Sequence, residues 1–317
     1  MSDTQKFSGR VVVTGASSFV GCHLAAAFAG GGAEVAAIHS RELDAYDPIR
    51  RKRLEHAGTD TELVRLDIRD GDAAASFLRD FRPDIWIHHV GYTDNYTSPD
   101  FDWIGALDTT AQPLATLYEI FAETGTKVIV SGTDQEYGAA SDVNREDDPC
   151  LPVTPYGLSK LSETLAARQL AARFSVPTRI ARVYIPFGKM DNPKKLLPQV
   201  VEALAAGRKM DLSAGTQRRD FVGVADLCRG YLALANDMDR AAIDVFNIAS
   251  GVPVSLRELL ETLCKEMNAD PALLNFGAMP MRPGEPPLSA ASIDKAKRLL
   301  GFAPRPLGRA LAENLLA

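Results

Sequence analysis

"RVVVTGASSFVGCHLAAAFAG", residues 10–30, is the stretch whose reading decides the fold. It opens on a β-branched run, continues with apolar residues at helical spacing, and closes on Gly30. Between the two lies a strand-to-helix turn, "TGASSFVG". Gly15 permits a tight turn there, and Gly21 lets the helix lie close to the sheet, helped by Ala25, Ala26 and Ala27. The helix start, with Ser17, Ser18, Phe19 and Val20, offers unpaired N–H groups and a positive dipole end, which suits the pyrophosphate of a dinucleotide. Ser18 stands where a central glycine is usual. With a negative φ it is small enough for close approach, and its hydroxyl is expected to bond a phosphate oxygen. The turn alone does not establish such a site, because many strand-turn-helix units use glycines in this way.

The rest of the chain repeats the alternation. "AEVAAI", "ELVRL", "DIWIHHV", "TKVIVSG" and "PTRIARVYI" read as further strands. Helices are predicted near 47–57, 72–81, 102–124 and 156–174. Strands alternating with helices fold as right-handed βαβ units into a parallel sheet covered on both faces. The expected class is therefore α/β: a Rossmann-like, doubly wound parallel sheet over 1–187 that carries the catalytic residues. A smaller C-terminal α/β lobe over 188–317 would bind substrate, with some of its strands or helices returning to the first domain. Ligands of such sheets bind outside the carboxyl ends of the strands.

Bulk properties narrow the class. The chain has 317 residues, 46% hydrophobic and 24% charged, with a net charge of −6, which disfavours a nucleic-acid footprint. "RRKR" at 50–53 reads as a solvated helix face. Cys22, Cys150, Cys228 and Cys264 show no C-x-x-C pairing, so free thiols are expected and no metal site. With no apolar segment of membrane-spanning length, a cytoplasmic protein is expected.

The end of the second strand bears on the nucleotide. An acidic residue there holds the ribose 2′-hydroxyl of NAD, and a basic one accommodates the 2′-phosphate of NADP. The sequence places His39, Ser40 and Arg41 at this point, with Glu42 next. NADP(H) is favoured, with NAD(H) as the alternative.

Two later stretches carry the chemistry. In "PYGLSK", Pro155 suits a helix start, and Tyr156 and Lys160 stand four apart, on one helix face. An ammonium beside a phenol is expected to lower the phenol's pKa from about 10 toward neutrality. A phenol so tuned exchanges a proton with a carbonyl or alcohol while a nicotinamide exchanges hydride. The spacing alone is weak; after the fifth strand of a dinucleotide-binding sheet it is strong. In "VSGTDQEYG", 130–138, a hydroxyl, a carboxylate and an amide line up at a strand end as Thr133, Asp134 and Gln135.

With these stretches in place, the sequence resembles the extended short-chain dehydrogenase/reductases, and among them the nucleotide-sugar epimerase/dehydratase/reductase family, from about residue 10 to 312. "GTQRRDFVGVADL", "FNIASGVPVSLRELLETL", "RPGEPP" and "DKAKRLLGFAPR" carry the resemblance beyond the sheet. It implies that Tyr156 and Lys160 are the catalytic pair, with Thr133 bonding the reacting oxygen. It places Asp67 and Ile68 near the adenine, and His89, Val90, Gly91 and Tyr184 along the cofactor cleft. Gln135, Ile185, Leu196, Arg219 and Arg282 fall to the substrate, the two arginines on its diphosphate, where a guanidinium fork fits phosphate oxygens. Plainer readings stand beside these. Arg219–Asp220 also suits a structural ion pair, and His88 and His89 suit packed, hydrogen-bonded positions.

The strand-end row decides among reactions. Dehydratases of this family resemble Thr-Asp-Glu here, with Asp as acid and Glu as base. Gln135 cannot accept a proton, and Glu136, on an extended strand, would point to the opposite face. Dehydration is disfavoured. Ile185 and Lys195 stand where the family has asparagines, and an apolar Ile185 suits a deoxygenated sugar carbon. The expectation is an NADPH-dependent reductase of a nucleotide-linked 4-keto-6-deoxyhexose, with Asp134 contacting a sugar hydroxyl or assisting proton transfer. A nucleotide-sugar 4-epimerase is the runner-up, and a non-catalytic dinucleotide-sensing protein comes third. The resemblance also implies a homodimer, formed through a four-helix bundle of the helices near 102–124 and 156–174.

Overall fold

Val11, Val12 and Val13 of the first strand, β1 (Arg10–Val13), are wholly buried, as a parallel strand covered on both faces must be. A computed structural model describes residues 6–138, 142–281 and 284–316. From β1 the chain runs through α1 (Phe19–Gly30), β2 (Glu34–His39), α2 (Pro48–Ala57), β3 (Glu62–Arg65), α3 (Gly71–Phe81) and β4 (Ile85–His88). It continues through α4 (Trp103–Thr110), α5 (Leu114–Thr124), β5 (Lys127–Thr133), α6 (Pro155–Phe174), β6 (Thr178–Val183) and β7 (Ile185–Phe187). Then follow α7 (Leu196–Ala205), β8 (Met210–Leu212), β9 (Arg218–Arg219), β10 (Phe221–Gly223), α8 (Val224–Asn236) and β11 (Ile243–Ile248). The last elements are β12 (Val254–Ser255), α9 (Leu256–Glu266), β13 (Leu274–Phe276), β14 (Leu288–Ser289), α10 (Asp294–Leu300) and α11 (Leu307–Leu311).

Seven parallel strands form the central sheet in the order β11-β6-β5-β4-β1-β2-β3. Strand order reverses between β1 and β4, and this reversal opens a crevice above their carboxyl ends. One apolar core lies on each face of the sheet: Phe28, Tyr231 and Phe246 on the first, Trp86, Tyr118 and Phe121 on the second. A third core, with Leu197, Val200, Leu259, Leu263 and Leu311, belongs to the C-terminal part. That part is divided. Its β11 completes the main sheet as an edge strand, and α8 contributes to the core on one face, while α7, α9, β8 and β13 stay in the lobe.

Three predicted features differ. The helix near 102–124 is two helices, because Pro113 cannot donate a backbone hydrogen bond and instead starts α5. The last strand of the first half breaks at Tyr184; β6 stays in the sheet, and β7 leaves to pair with β10. "RRKR" is not wholly solvated. Arg53 is buried, and its Nε donates to the Met190 carbonyl at 2.9 Å, which ties α2 to the loop before α7. The four cysteines are free thiols. Among the described residues no helix is long and apolar enough to cross a membrane.

Candidate active site in the crevice above the sheet

The turn after β1 is built for close approach. Gly15 has φ +70°, and a Cβ there would lie 2.7 Å from the His89 carbonyl oxygen. A Cβ on Gly21 would lie 2.2 Å from the Gly15 carbonyl oxygen, so α1 can start this near the sheet only with glycine. Ser18 has φ −82°, and its hydroxyl oxygen accepts the Gly21 N–H at 2.9 Å. It is the helix N-cap, and only its proton remains to give a phosphate. The N–H groups of Phe19 and Val20 have no acceptor among the described residues. A bare turn with free helix-start donors fits a dinucleotide pyrophosphate. Thr14, which the sequence did not single out, pins the crevice floor: its hydroxyl accepts the N–H groups of His89 and Val90, each at 2.9 Å, and donates to Ile87.

At the end of β2, the Tyr46 hydroxyl accepts the N–H groups of Ser40 and Arg41, both at 3.1 Å, and His39 Nδ1 donates to the Arg41 carbonyl at 2.9 Å. Glu42 is ion-paired to Arg65, whereas the Arg41 guanidinium is exposed and has no ionic partner among the described residues. Asp67 is gripped by Arg69, through a 2.6 Å contact among others, which holds its carboxyl below the ordinary range. Ile68 beside it is buried.

His88 takes the packed role. Its Nε2 donates to the Thr110 carbonyl at 2.8 Å, and its Nδ1 accepts from Trp86. His89 Nδ1 bonds the Ser131 hydroxyl at 2.8 Å, which in turn meets the Tyr231 hydroxyl at 2.6 Å. Burial, aided by the Lys160 charge, pushes the His89 imidazole down to about 3, so it is neutral at physiological pH. Tyr184 corrects an expectation. Its side chain is fully buried, donating to the Ala290 carbonyl and accepting from Asn144, and offers no surface to a cofactor.

Thr133 ends β5, and the chain then folds into a single 3-10 turn, Asp134–Glu136. The Thr133 hydroxyl donates to Asp134 Oδ1 at 3.1 Å, and Asp134 Oδ2 accepts from Ser289 of the lobe at 2.8 Å. Burial pushes the Asp134 carboxyl above its ordinary range. Gln135 is held by the Thr154 hydroxyl, which donates to its Oε1 at 2.9 Å. Glu136 is fully buried, and not on a continuing strand: the turn sets its carboxylate between β6 and α6, where Oε2 meets Arg182 Nε at 3.0 Å and Oε1 accepts from Thr133 N and the Thr164 hydroxyl.

Thr154 caps α6 by accepting the Gly157 N–H at 3.0 Å, and Pro155 follows at the first helical position. The Tyr156 ring is held edge-on by Tyr96 and Phe101, with centroids 5.3 and 5.8 Å away. Lys160 lies one turn further, buried. Its Nζ reaches the fully buried Glu163 at 2.7 Å, a partner the sequence reading missed. The expected lowering of the Tyr156 phenol does not occur. Burial first, then the negative fields of Glu163 and Asp134, push it above its ordinary value.

In the lobe, Arg219 pairs with Glu285 at 3.0 Å and its positive field reaches Asp134 of the strand-end row. Asp220 is not its partner; that carboxylate accepts from Ser250 and Gly251. Ile185 and Leu196 are half-buried at the starts of β7 and α7. Lys195 pairs with Asp191 at 3.0 Å. Arg282 lies outside the described residues.

The comparisons agree with this architecture. Residues 11–249 match the sequence model of the NAD dependent epimerase/dehydratase family. A UDP-glucose 4-epimerase of Azospirillum brasilense is 27% identical over 96% of this chain and 90% of its own length. Among solved structures, a UDP-glucuronic acid 4-epimerase from Bacillus cereus, in complex with UDP-glucuronic acid and NAD, is 25% identical with a TM-score of 0.81, covering 96% of this chain and 97% of that one. A dTDP-glucose 4,6-dehydratase from Streptomyces venezuelae, with NAD and TYD bound, is 26% identical with a TM-score of 0.75 over the same shares. The glycine turn, the seven-stranded sheet and the Thr133–Tyr156–Lys160 crevice thus accompany a family match across most of the chain, and the protein belongs to the NAD dependent epimerase/dehydratase family of extended short-chain dehydrogenase/reductases, enzymes of nucleotide sugars.

Proposed function

We propose that this protein interconverts a hydroxyl and a ketone at C4 of a nucleotide-linked hexose, with 4-epimerisation as the net reaction. One arrangement carries the reading: the Tyr156–Lys160 face of α6 lies beside the end of β5, and the third residue of the strand-end row is an amide already bonded to Thr154. When bound, a nicotinamide dinucleotide would take up the C4 hydride and return it. The chain's own groups do the rest. Thr133 bonds the sugar O4, and Tyr156 gives or takes its proton. Lys160 holds a ribose hydroxyl, Asp134 and Ser289 contact a sugar hydroxyl, and Arg219 meets a diphosphate oxygen. Elimination of water lacks a base in this row, which sets dehydration aside. Similarity to 4-epimerases along almost the whole chain moves the balance from reduction to epimerisation.

Reduction of a 4-keto-6-deoxy sugar with NADPH stays as a second reading because of one observation: the Arg41 guanidinium has no ionic partner among the described residues, while Glu42 is bound to Arg65. Arg41→Ala is then expected to weaken NADPH binding about 10–100-fold, the value of one charged hydrogen bond, and to leave NADH binding unchanged. Equal losses for both cofactors would remove Arg41 from the 2′-phosphate. To separate the reactions, the protein is incubated with UDP- and dTDP-hexoses and NAD, and the C4 epimer is followed by NMR. The same protein is then given 4-keto-6-deoxy nucleotide sugars with NADPH. An epimer with no net cofactor change supports the first reading, and stoichiometric NADPH loss without an epimer supports the second. Neither product would overturn both.

The homodimer belongs to the same proposal. Trp103 and Ile104 of α4, Leu158 and Leu165 of α6, and Leu151 and Val153 before α6 expose apolar surface around two packed helices. Sedimentation at twice the chain's mass is the expected result.

A further inference from the structure

His89 follows β4 at the point where the strand order reverses, beside the glycine turn. Its N–H goes to Thr14, and its carbonyl oxygen is the atom that a Cβ on Gly15 would strike. The imidazole is half-buried, and its two nitrogens differ in surroundings. Nδ1 lies 2.8 Å from the Ser131 hydroxyl of β5, and that hydroxyl lies 2.6 Å from the Tyr231 hydroxyl of α8. Nε2 has no hydrogen-bond partner among the described residues, and it is not one of their enclosed polar atoms; it opens on the crevice.

Counting protons fixes the direction of this chain. Tyr231 is fully buried and Ser131 nearly so, and among the described residues the Tyr231 hydroxyl meets Ser131 alone. With a proton on Nδ1, His89 would donate to Ser131 and Ser131 to Tyr231, and the Tyr231 proton would be stranded in the core without an acceptor. In the opposite order Tyr231 donates to Ser131, Ser131 donates to Nδ1, and every buried proton is accepted. Burial keeps the ring uncharged, so its one proton sits on Nε2.

We propose that Ser131 and Tyr231 are positioning residues that lock His89 in the Nε2–H tautomer, so that it presents a neutral donor to an acceptor oxygen of the bound dinucleotide. The start of α1 supplies backbone donors from one side of the crevice, and His89 supplies a side-chain donor from the β4 side. The inference rests on a dinucleotide occupying this crevice and not on which reaction follows.

Long-range 1H–15N spectra of the free protein read the tautomer directly, and His89→Gln identifies the His89 signals by their loss. At neutral pH, Nδ1 should show the shift of an unprotonated ring nitrogen and Nε2 that of a protonated one. Tyr231→Phe removes the proton that sets the order, and the two shifts should move toward each other; a tyrosine that only fills the core would leave them in place. NAD binding is followed by calorimetry. His89→Leu should weaken it about 3- to 30-fold, the worth of one hydrogen bond, whereas His89→Gln, whose amide still donates from the Nε2 position, should stay within about 3-fold. ADP-ribose locates the acceptor: a loss shared with it puts the oxygen on the diphosphate or the riboses, and a loss confined to NAD puts it on the carboxamide. A proton on Nδ1 in the free protein overturns the proposal, and so does an NAD affinity unchanged by His89→Leu. Neither readout uses turnover, so failure of both assays above would remove the proposed reaction and not this inference.

Discussion

Tyr156→Phe is expected to fold normally, bind cofactor and sugar as before, and lose turnover by on the order of 100- to 10,000-fold in kcat, the usual worth of a positioned acid–base group. Phenylalanine keeps the edge-on contacts with Tyr96 and Phe101, and Thr154 and Pro155 still start the helix, so the loss falls on chemistry rather than on packing. KM should stay within a few-fold, since the substrate's diphosphate and sugar contacts lie elsewhere. Nicotinamide fluorescence measures cofactor binding independently. If kcat survives, Tyr156 is not the acid–base group; a Tyr156→Phe protein without turnover that leaves cellular function unchanged would instead favour a dinucleotide-sensing role.

Arg182→Met should produce the largest fall in stability, about 3–5 kcal/mol by urea denaturation, because it leaves the buried Glu136 carboxylate unpaired. Arg182 does more than neutralise. Its Nη1 donates to the Glu146 carbonyl at 3.2 Å, its Nη2 to the Cys150 sulfur at 2.9 Å, and its guanidinium lies 4.4 Å above the Tyr137 ring. Adding Glu136→Gln should recover a substantial part of the loss, since the stranded charge is gone while the amide oxygen still accepts from Thr133 N and Thr164. A double variant as unstable as the single one would place the cost in lost packing rather than in the charge. Catalysis is expected to suffer with stability, because Glu136 fixes the backbone of Thr133.

The stretches legible in the sequence were those whose physics is local. The glycine turn followed from what a Cβ would strike, the strands from β-branched runs, and the Tyr156–Lys160 face from helical spacing. Pro113 was visible as well, yet the apolar pattern across it still read as one helix. Arg53 read as solvated because charge normally is; the Met190 carbonyl that buries it is distant in sequence. Tyr184 lay in a stretch that read as one continuous strand, and only the departure of β7 and the bonds to Asn144 and Ala290 show that its side chain is buried.

By itself the sequence determined the doubly wound sheet, its crevice, the glycine turn and the Tyr156–Lys160 helix face, because hydrophobic period and backbone sterics act within a few residues. Tertiary structure alone decided the charge state around them: Glu163 on Lys160, Arg182 on Glu136, Ser289 on Asp134. Charges act through space at ångström distances, and whether Lys160 faces the phenol alone or shares its charge with a buried carboxylate depends on how the interior closes around α6.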